Sequence, residues 1–222
     1  VIVLAPNSVQ EMADFVDLAF ELAFKYRNPV MILSDGVIGQ MMEKVVLPPF
    51  KPRRTEEEVR KECPWATMGR TKDREPNILT SLELKPEVME LRNIHLQEKY
   101  QTIRDNEVRY EAQQCDDADY IIVSFGSAAR IGEKAVELAR AEGIKVGLFR
   151  PITLWPFPSK EIAAAAKGKK GILVSEINAG QMIQDVKLAV NGALPVEHFG
   201  RLGGIVPDPE EIVNVLKDKL MR

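Results

Sequence analysis

A buried strand that breaks abruptly into a helix constrains this chain more than any other stretch. Residues 118–143 read ADYIIVSFGSAARIGEKAVELARAEG. The run over 120–125 is apolar and β-branched, as in a strand covered on both faces. Gly126-Ser127 interrupts it, and Ile131, Ala135, Leu138 and Ala139 then recur at helical spacing. Gly143 stands where a helix-ending glycine belongs. A second strand, 145–149, follows at once. Such a turn aims backbone N–H groups at whatever lies beyond the strand, an anion or a partner surface. The turn over 126–130 is therefore a candidate site, with a plain packing turn as the alternative, because the G-x-G-x-x-G fingerprint is missing.

The same alternation continues to the end of the chain. Strands are expected over 120–125, 145–149, 171–175 and 196–199, and helices over 128–141, 159–167, 180–190 and 209–220. Asp208 is placed to cap the last helix, with Pro209 at its first position. This order implies a mainly parallel sheet covered on both faces.

The first residues read as another β-α-β unit. A strand over 1–5 precedes Ser8, an N-cap whose capping box Glu11 completes. The helix runs to Tyr26, Arg27-Asn28-Pro29 ends it, and a strand over 30–33 follows. Asp35 stands at that strand's end, able to meet a ligand or partner loop or to cap a short helix near residues 39–42. Met31, Met41 and Met42 suit deformable core or interface packing. Val1 begins inside a strand, so the chain is expected to be the later part of a longer polypeptide.

Residues 46–84 change character. Leu47-Pro48-Pro49-Phe50-Lys51-Pro52 is stiff and extended. A capped helix starts at Thr55 and lasts to Cys63, and the stretches 65–70 and 71–76 have no period. Trp65, Ile78, Leu79 and Leu82 demand burial, so the segment reads as an arm packed on a neighbour. A long connecting helix is expected over 86–115, with Val88, Leu91, Ile94 and Ile103 on a narrow stripe and a structural His95 beside it.

Composition excludes several classes. A net charge of −3 over 222 residues gives no case for binding nucleic acid or an anionic membrane. No apolar run reaches the ~20 residues of a membrane helix, and no secretory signal opens the chain. Cys63 and Cys115 match no metal or iron–sulfur spacing and read as free thiols of a reducing cytoplasm. Only two histidines are present. Three further turns stand out: 150–158 (RPITLWPFP), too apolar for a free loop; 176–181 (EINAGQ), polar at a strand's carboxyl end; and 200–204 (GRLGG), glycine-rich but without the lysine of a P-loop.

Taken together, APNSVQEM, KYRNPVMILSDGVIGQMMEKV, PWATMGR, PNILTSLEL, SFGSAARI, FRPITLWPFP, SEINAGQM and GRLGGIVPDPEEI resemble the alpha subunit of the thiamine-diphosphate-dependent 2-oxoacid:ferredoxin oxidoreductases. The 3-methyl-2-oxobutanoate (2-ketoisovalerate) type is nearest and the 2-oxoglutarate type is close. The resemblance implies an α/β fold: the end of a transketolase-type pyrimidine-binding domain over 1–45, a linker arm and connecting helix over 46–117, and a transketolase C-terminal-like parallel-sheet domain over 118–222. It implies an oxidoreductase that converts a 2-oxoacid, coenzyme A and oxidised ferredoxin to acyl-CoA, CO₂ and reduced ferredoxin. Thiamine diphosphate would lie against a separate beta subunit that holds the diphosphate and Mg²⁺. Iron–sulfur clusters would sit on other subunits, and the assembly would be a cytoplasmic dimer of heteromers. The acidic residue that activates the cofactor falls before Val1, so no catalytic residue is carried onto this chain. Candidates for ligand or partner contact are the carboxyl-end loop residues Asp35, Ser127, Arg130, Glu176, Asn178 and Gln181. Arg130 would meet a partner carboxylate, coenzyme A phosphates or a surface acid. The competing readings are a stand-alone doubly wound nucleotide- or flavin-binding module and a non-enzymatic regulatory module.

Overall fold

The computed structural model describes residues 1–70, 72 and 74–222. Thr71 and Asp73, in the aperiodic stretch noted above, lie outside the described residues. The chain packs as two units, one formed by residues 1–46 and 100–222 and the other by 47–99.

In the first unit, β1 (Ile2–Leu4) leads through Ser8 into α1 (Val9–Tyr26), and β2 (Val30–Ile32) pairs parallel to β1. Asp35 then starts the short α2 (Gly36–Gln40). Ser8 caps α1, its hydroxyl accepting from Glu11 N at 3.2 Å. The expected capping box is only half made. The Glu11 carboxylate accepts from Asn7 N rather than Ser8 N, because the same carboxylate holds Arg150 at 2.7 and 2.8 Å.

The second unit carries α3 (Glu56–Glu62), whose Thr55–Glu58 capping box is complete, and the start of α4 (Pro86–Asn106). The expected helix to residue 115 is not found. It stops at Asn106, and residues 110–113 form strand β3 (Tyr110–Gln113) instead. Tertiary pairing overrides helical propensity here. Glu107 is buried and accepts from Lys25 Nζ at 2.7 Å, Tyr26 Oη at 2.6 Å and Arg109 Nη1 at 2.9 Å, so the chain must turn at that point. His95 is exposed on α4 rather than structural.

The remainder follows the expected alternation: β4 (Tyr120–Val123), α5 (Gly126–Ala141), β5 (Val146–Pro151), β6 (Thr153–Trp155), α6 (Ser159–Ala165), β7 (Gly171–Glu176), α7 (Met182–Val190), β8 (Val196–Gly200) and α8 (Pro209–Leu220). Five strands form a sheet ordered β3-β5-β4-β7-β8, parallel except for β3 at its edge. Period-2 alternation divides its side chains. Ile121, Val123, Phe149 and Val174 meet Ile162 of α6 and Ile183 and Val186 of α7. Tyr120, Ile122, Leu148 and Leu173 meet Val136 of α5 and Ile212 and Leu216 of α8.

The apolar 150–158 segment is what joins this sheet to the first β-α-β unit. After β5 the chain steps over Ile152 into β6, which pairs antiparallel with β1 to complete a three-stranded sheet β2-β1-β6. Ile2, Leu22 and Ile103 form the small core beneath it, with Tyr100 edge-on to Trp155 at 5.7 Å.

The edge strand β3 is seated by Gly147. A Cβ there would lie 2.7 Å from Gln114 O and 2.8 Å from Cys115 Cα. Gly147→Ala is expected to cost about 1–3 kcal/mol as an overpacked contact against backbone. Urea unfolding of the variant measures this, and a midpoint equal to wild type would contradict the close approach.

Candidate functional site

In parallel sheets the groups available for chemistry gather beyond the strands' carboxyl ends. All six sequence-selected residues lie there, in two clusters on the first unit. The ends of β4 and β7 are tied together by Ser124 Oγ, which donates to Ser175 O at 2.8 Å.

The first cluster is built on Asp35. One carboxylate oxygen accepts from Val37 N at 2.9 Å and Ile38 N at 3.0 Å, capping α2. The other accepts from Ser127 N at 3.0 Å, at the start of α5. Gly126 makes the approach possible: its φ is +60°, and a Cβ would stand 3.2 Å from that oxygen. The turn that sequence marked as a possible anion site is therefore met by an anion of the chain itself, and Asp35 serves two helix N-termini at once. Burial pushes the Asp35 carboxyl up, but the amides of Ile38, Ser127 and Val37 outweigh it and hold the group below its ordinary value. Arg130, one turn along α5, pairs with Glu43. Glu43 also accepts from Val9 N at 3.2 Å, at the start of α1. Among the open choices for Arg130, the structure supplies an acid of its own chain.

The second cluster is built on Glu176, whose side chain is fully buried. Its carboxylate accepts from Met182 N at 2.8 Å, Ile183 N at 3.1 Å and Gln181 N at 3.3 Å, so it closes the N-terminus of α7. Asn178 Oδ1 accepts from Gly180 N at 2.8 Å and Gln181 N at 3.1 Å, an Asx-type turn. Gln181 contributes its backbone, with its side chain exposed. His198 and Glu43 were not singled out by sequence. His198 Nε2 lies 3.6 Å from Glu176 Oε1, is buried and has no hydrogen-bond partner. No spacing signal links either residue to its cluster, because each contact joins segments far apart in the chain. The glycine-rich turn follows β8. A Cβ on Gly200 would run into Asn178 O, and Arg201 pairs with Glu211 of α8, so this turn is occupied by packing and an ion pair.

The donor set decides what these loops can hold. The N–H groups at the starts of α5 and α7 already face carboxylates, and a diphosphate placed there would meet like charge. The residues present therefore do not fit the diphosphate of thiamine diphosphate. Among the described residues no group of three His, Cys, Asp or Glu is arranged to hold a metal ion. Both cysteines are free and buried. Burial pushes the Cys115 thiol up to about 11, which keeps it protonated and unreactive. No helix among the described residues is long and apolar enough to cross a membrane.

Residues 1–112 match the family described as pyruvate flavodoxin/ferredoxin oxidoreductase, thiamine diphosphate-binding. The chain belongs to this family. Residues 118–212 match pyruvate:ferredoxin oxidoreductase core domain II. The ketoisovalerate oxidoreductase subunit VorB of Methanothermobacter marburgensis is 45% identical over 98% of this chain, and that of Methanothermobacter thermautotrophicus is 44% identical over 97%. The 2-oxoglutarate synthase subunit KorA of Methanothermobacter marburgensis is 35% identical over 96%. The chain spans only about 60% of the length of these curated relatives. In fold, it aligns over 99% of its length, at TM-score 0.74 and 24% identity, with 42% of a chain of the 2-oxoglutarate:ferredoxin oxidoreductase from Magnetococcus marinus, solved with 2-oxoglutarate, coenzyme A and succinyl-CoA bound. A split-gene transketolase, an inactive beta4 tetramer, aligns at TM-score 0.53 and 14% identity, over 99% of this chain and 57% of that one. The α/β architecture is thus that of the oxidoreductase family and of transketolase, as the sequence resemblance implied.

The double cap gives a pH signature. A carboxyl held below its unfolded value of about 3.9 contributes fully above that value, and the contribution is lost as pH falls through the lower folded value. Asp35→Asn is expected to cost about 1–2 kcal/mol at pH 7 and much less near pH 2. Denaturant midpoints of both proteins at the two pH values check this; an equal gap at both would contradict it.

Proposed function

We propose that this chain is part of one subunit of a thiamine-diphosphate-dependent 2-oxoacid:ferredoxin oxidoreductase acting on branched-chain 2-oxoacids. The reaction would take a 2-oxoacid, coenzyme A and oxidised ferredoxin to acyl-CoA, CO₂ and reduced ferredoxin. The observation that carries the reading is the 45% identity with ketoisovalerate oxidoreductase subunit VorB over 98% of the chain. The 35% identity with 2-oxoglutarate synthase subunit KorA makes 2-oxoglutarate the second substrate to test.

In this reading the chain's described residues build a frame, and the groups that handle the cofactor come from elsewhere. The self-capped loops support that role, since Asp35 and Glu176 occupy the two helix N-termini best placed for an anion. Thiamine diphosphate and Mg²⁺ would then be held with a beta subunit. Iron–sulfur clusters would belong to other subunits, and ferredoxin and coenzyme A would reach the chain through the assembled cytoplasmic complex, a dimer of heteromers. The same loops weigh against a stand-alone nucleotide-binding module, which would require a free phosphate cradle at the first βα turn.

Purified alone with thiamine diphosphate, Mg²⁺, coenzyme A and 3-methyl-2-oxobutanoate, the chain is expected to reduce no methyl viologen. Carried in a subunit of the curated relatives' full length and co-expressed with the partner subunits, it is expected to do so, and faster than with 2-oxoglutarate. Turnover by the chain alone would contradict the division of labour. Preference of the complex for 2-oxoglutarate would contradict the substrate.

A further inference from the structure

The first unit carries a cleft that neither carboxyl-end cluster uses. It lies between the last turns of α4 and the segment running from β6 into α6, and its volume is about 420 Å³, within the range of small-molecule sites. Its lining has two parts. Val108, Trp155 and Phe157 are half-buried and form an apolar wall. Around that wall, Arg104 and Lys160 stand against Asp105 and Glu161.

The wall is held in place. Tyr100 meets Trp155 edge-on at 5.7 Å, and the Arg104 guanidinium lies 5.9 Å from the Trp155 ring centroid. Asp105 is steadied by Gln101, whose Nε2 donates to its carboxylate at 2.9 Å. The charges, by contrast, are loosely matched. Lys160 Nζ stands 3.9 Å from Asp105, with the two side chains 88% and 49% exposed. A pair this long and this wet is worth little, so a ligand can enter between its members.

We propose that this cleft binds a free α-amino acid with an apolar side chain. A simple anion would gain Arg104 and Lys160 but meet Asp105 and Glu161, and a simple cation would meet the reverse. A zwitterion satisfies both signs. Its carboxylate goes to the two cations, its ammonium to the two acids, and its side chain covers the wall of Val108, Trp155 and Phe157. Charge-assisted hydrogen bonds set the orientation, and burial of the side chain supplies affinity. A 2-oxoacid suits the wall and the cations but offers no donor to the acids, so it binds more weakly. The cleft shares no residue with the Asp35 and Glu176 clusters. The inference does not depend on the oxidoreductase reading, because its readout is binding rather than turnover.

The test is isothermal titration calorimetry at pH 7 on the whole chain, with analogues that each differ from leucine in one group. Leucine is expected to bind saturably at millimolar concentration. 4-Methyl-2-oxopentanoate lacks the ammonium, 3-methylbutylamine lacks the carboxylate and glycine lacks the side chain. Each is expected to bind at least ~10-fold more weakly, through the loss of one charged hydrogen bond or one buried side chain. Lys160→Gln and Glu161→Gln are expected to weaken leucine binding about 3- to 10-fold with unchanged melting temperature. The analogue series uses the wild-type chain alone, so a variant that fails to fold leaves the proposal open to refutation. No saturable leucine binding, a 2-oxoacid or amine bound as tightly as leucine, or two folded variants that bind leucine like wild type would each overturn it.

Discussion

Arg150 is the fixed point of the first unit. Its guanidinium is 1% exposed and sits between two carboxylates. Glu11, from the first turn of α1, takes both terminal nitrogens at 2.7 and 2.8 Å. Glu111, on edge strand β3, takes Nε at 3.0 Å. Burial alone lowers the basicity of such a group, yet the two acids outweigh it and keep the charge firmly in place. A buried charge is tolerated only when its hydrogen bonds are complete. That requirement turns one residue into a constraint on three elements. Arg150 lies where β5 is about to become β6, and the step from the five-stranded sheet to the three-stranded one happens within two residues of it. A misplaced α1 or β3 would leave a carboxylate or the guanidinium unpaired, which costs far more than the pair contributes.

The rest of the carboxyl-end face follows the same logic. Asp35, Glu43 and Glu176 each bring negative charge from one segment to the backbone N–H groups or the arginine of another. The helix dipoles that would attract an anionic ligand are spent internally. For function this is a choice of role. A face whose donors are already satisfied is a rigid platform.

Much of the fold was legible in the sequence, because elements covered on both sides carry strong local signals. The second βαβ series and the bounds of α8 follow from apolar runs, glycine stops and Pro209 at a helix start. The signal failed where long-range pairing decided the outcome. Residues 107–113 carry a helical pattern, but β5 draws them into an edge strand and buried Glu107 fixes the turn before it. Glu11 spells a capping box, yet its partner 139 residues away takes the carboxylate. Of the candidate site, the loops could be found from strand ends alone, and Asp35, Ser127 and Glu176 with them. What those residues do depended on contacts between distant segments, so Glu43 and His198 left no trace in the sequence.

The arm of residues 47–99 shows the opposite balance. Its amino acids ask for burial, and the described structure leaves them open. Satisfied charges mark the first unit, and open apolar surface marks the second. The most direct test of this account is a double-mutant cycle on Glu11 and Arg150, with Glu11→Gln, Arg150→Met and the double variant unfolded in urea at pH 7. The account predicts a coupling energy of at least about 2 kcal/mol, at the upper end for residues in direct contact. Additivity to within about 0.5 kcal/mol would contradict it and would move the organising role away from Arg150.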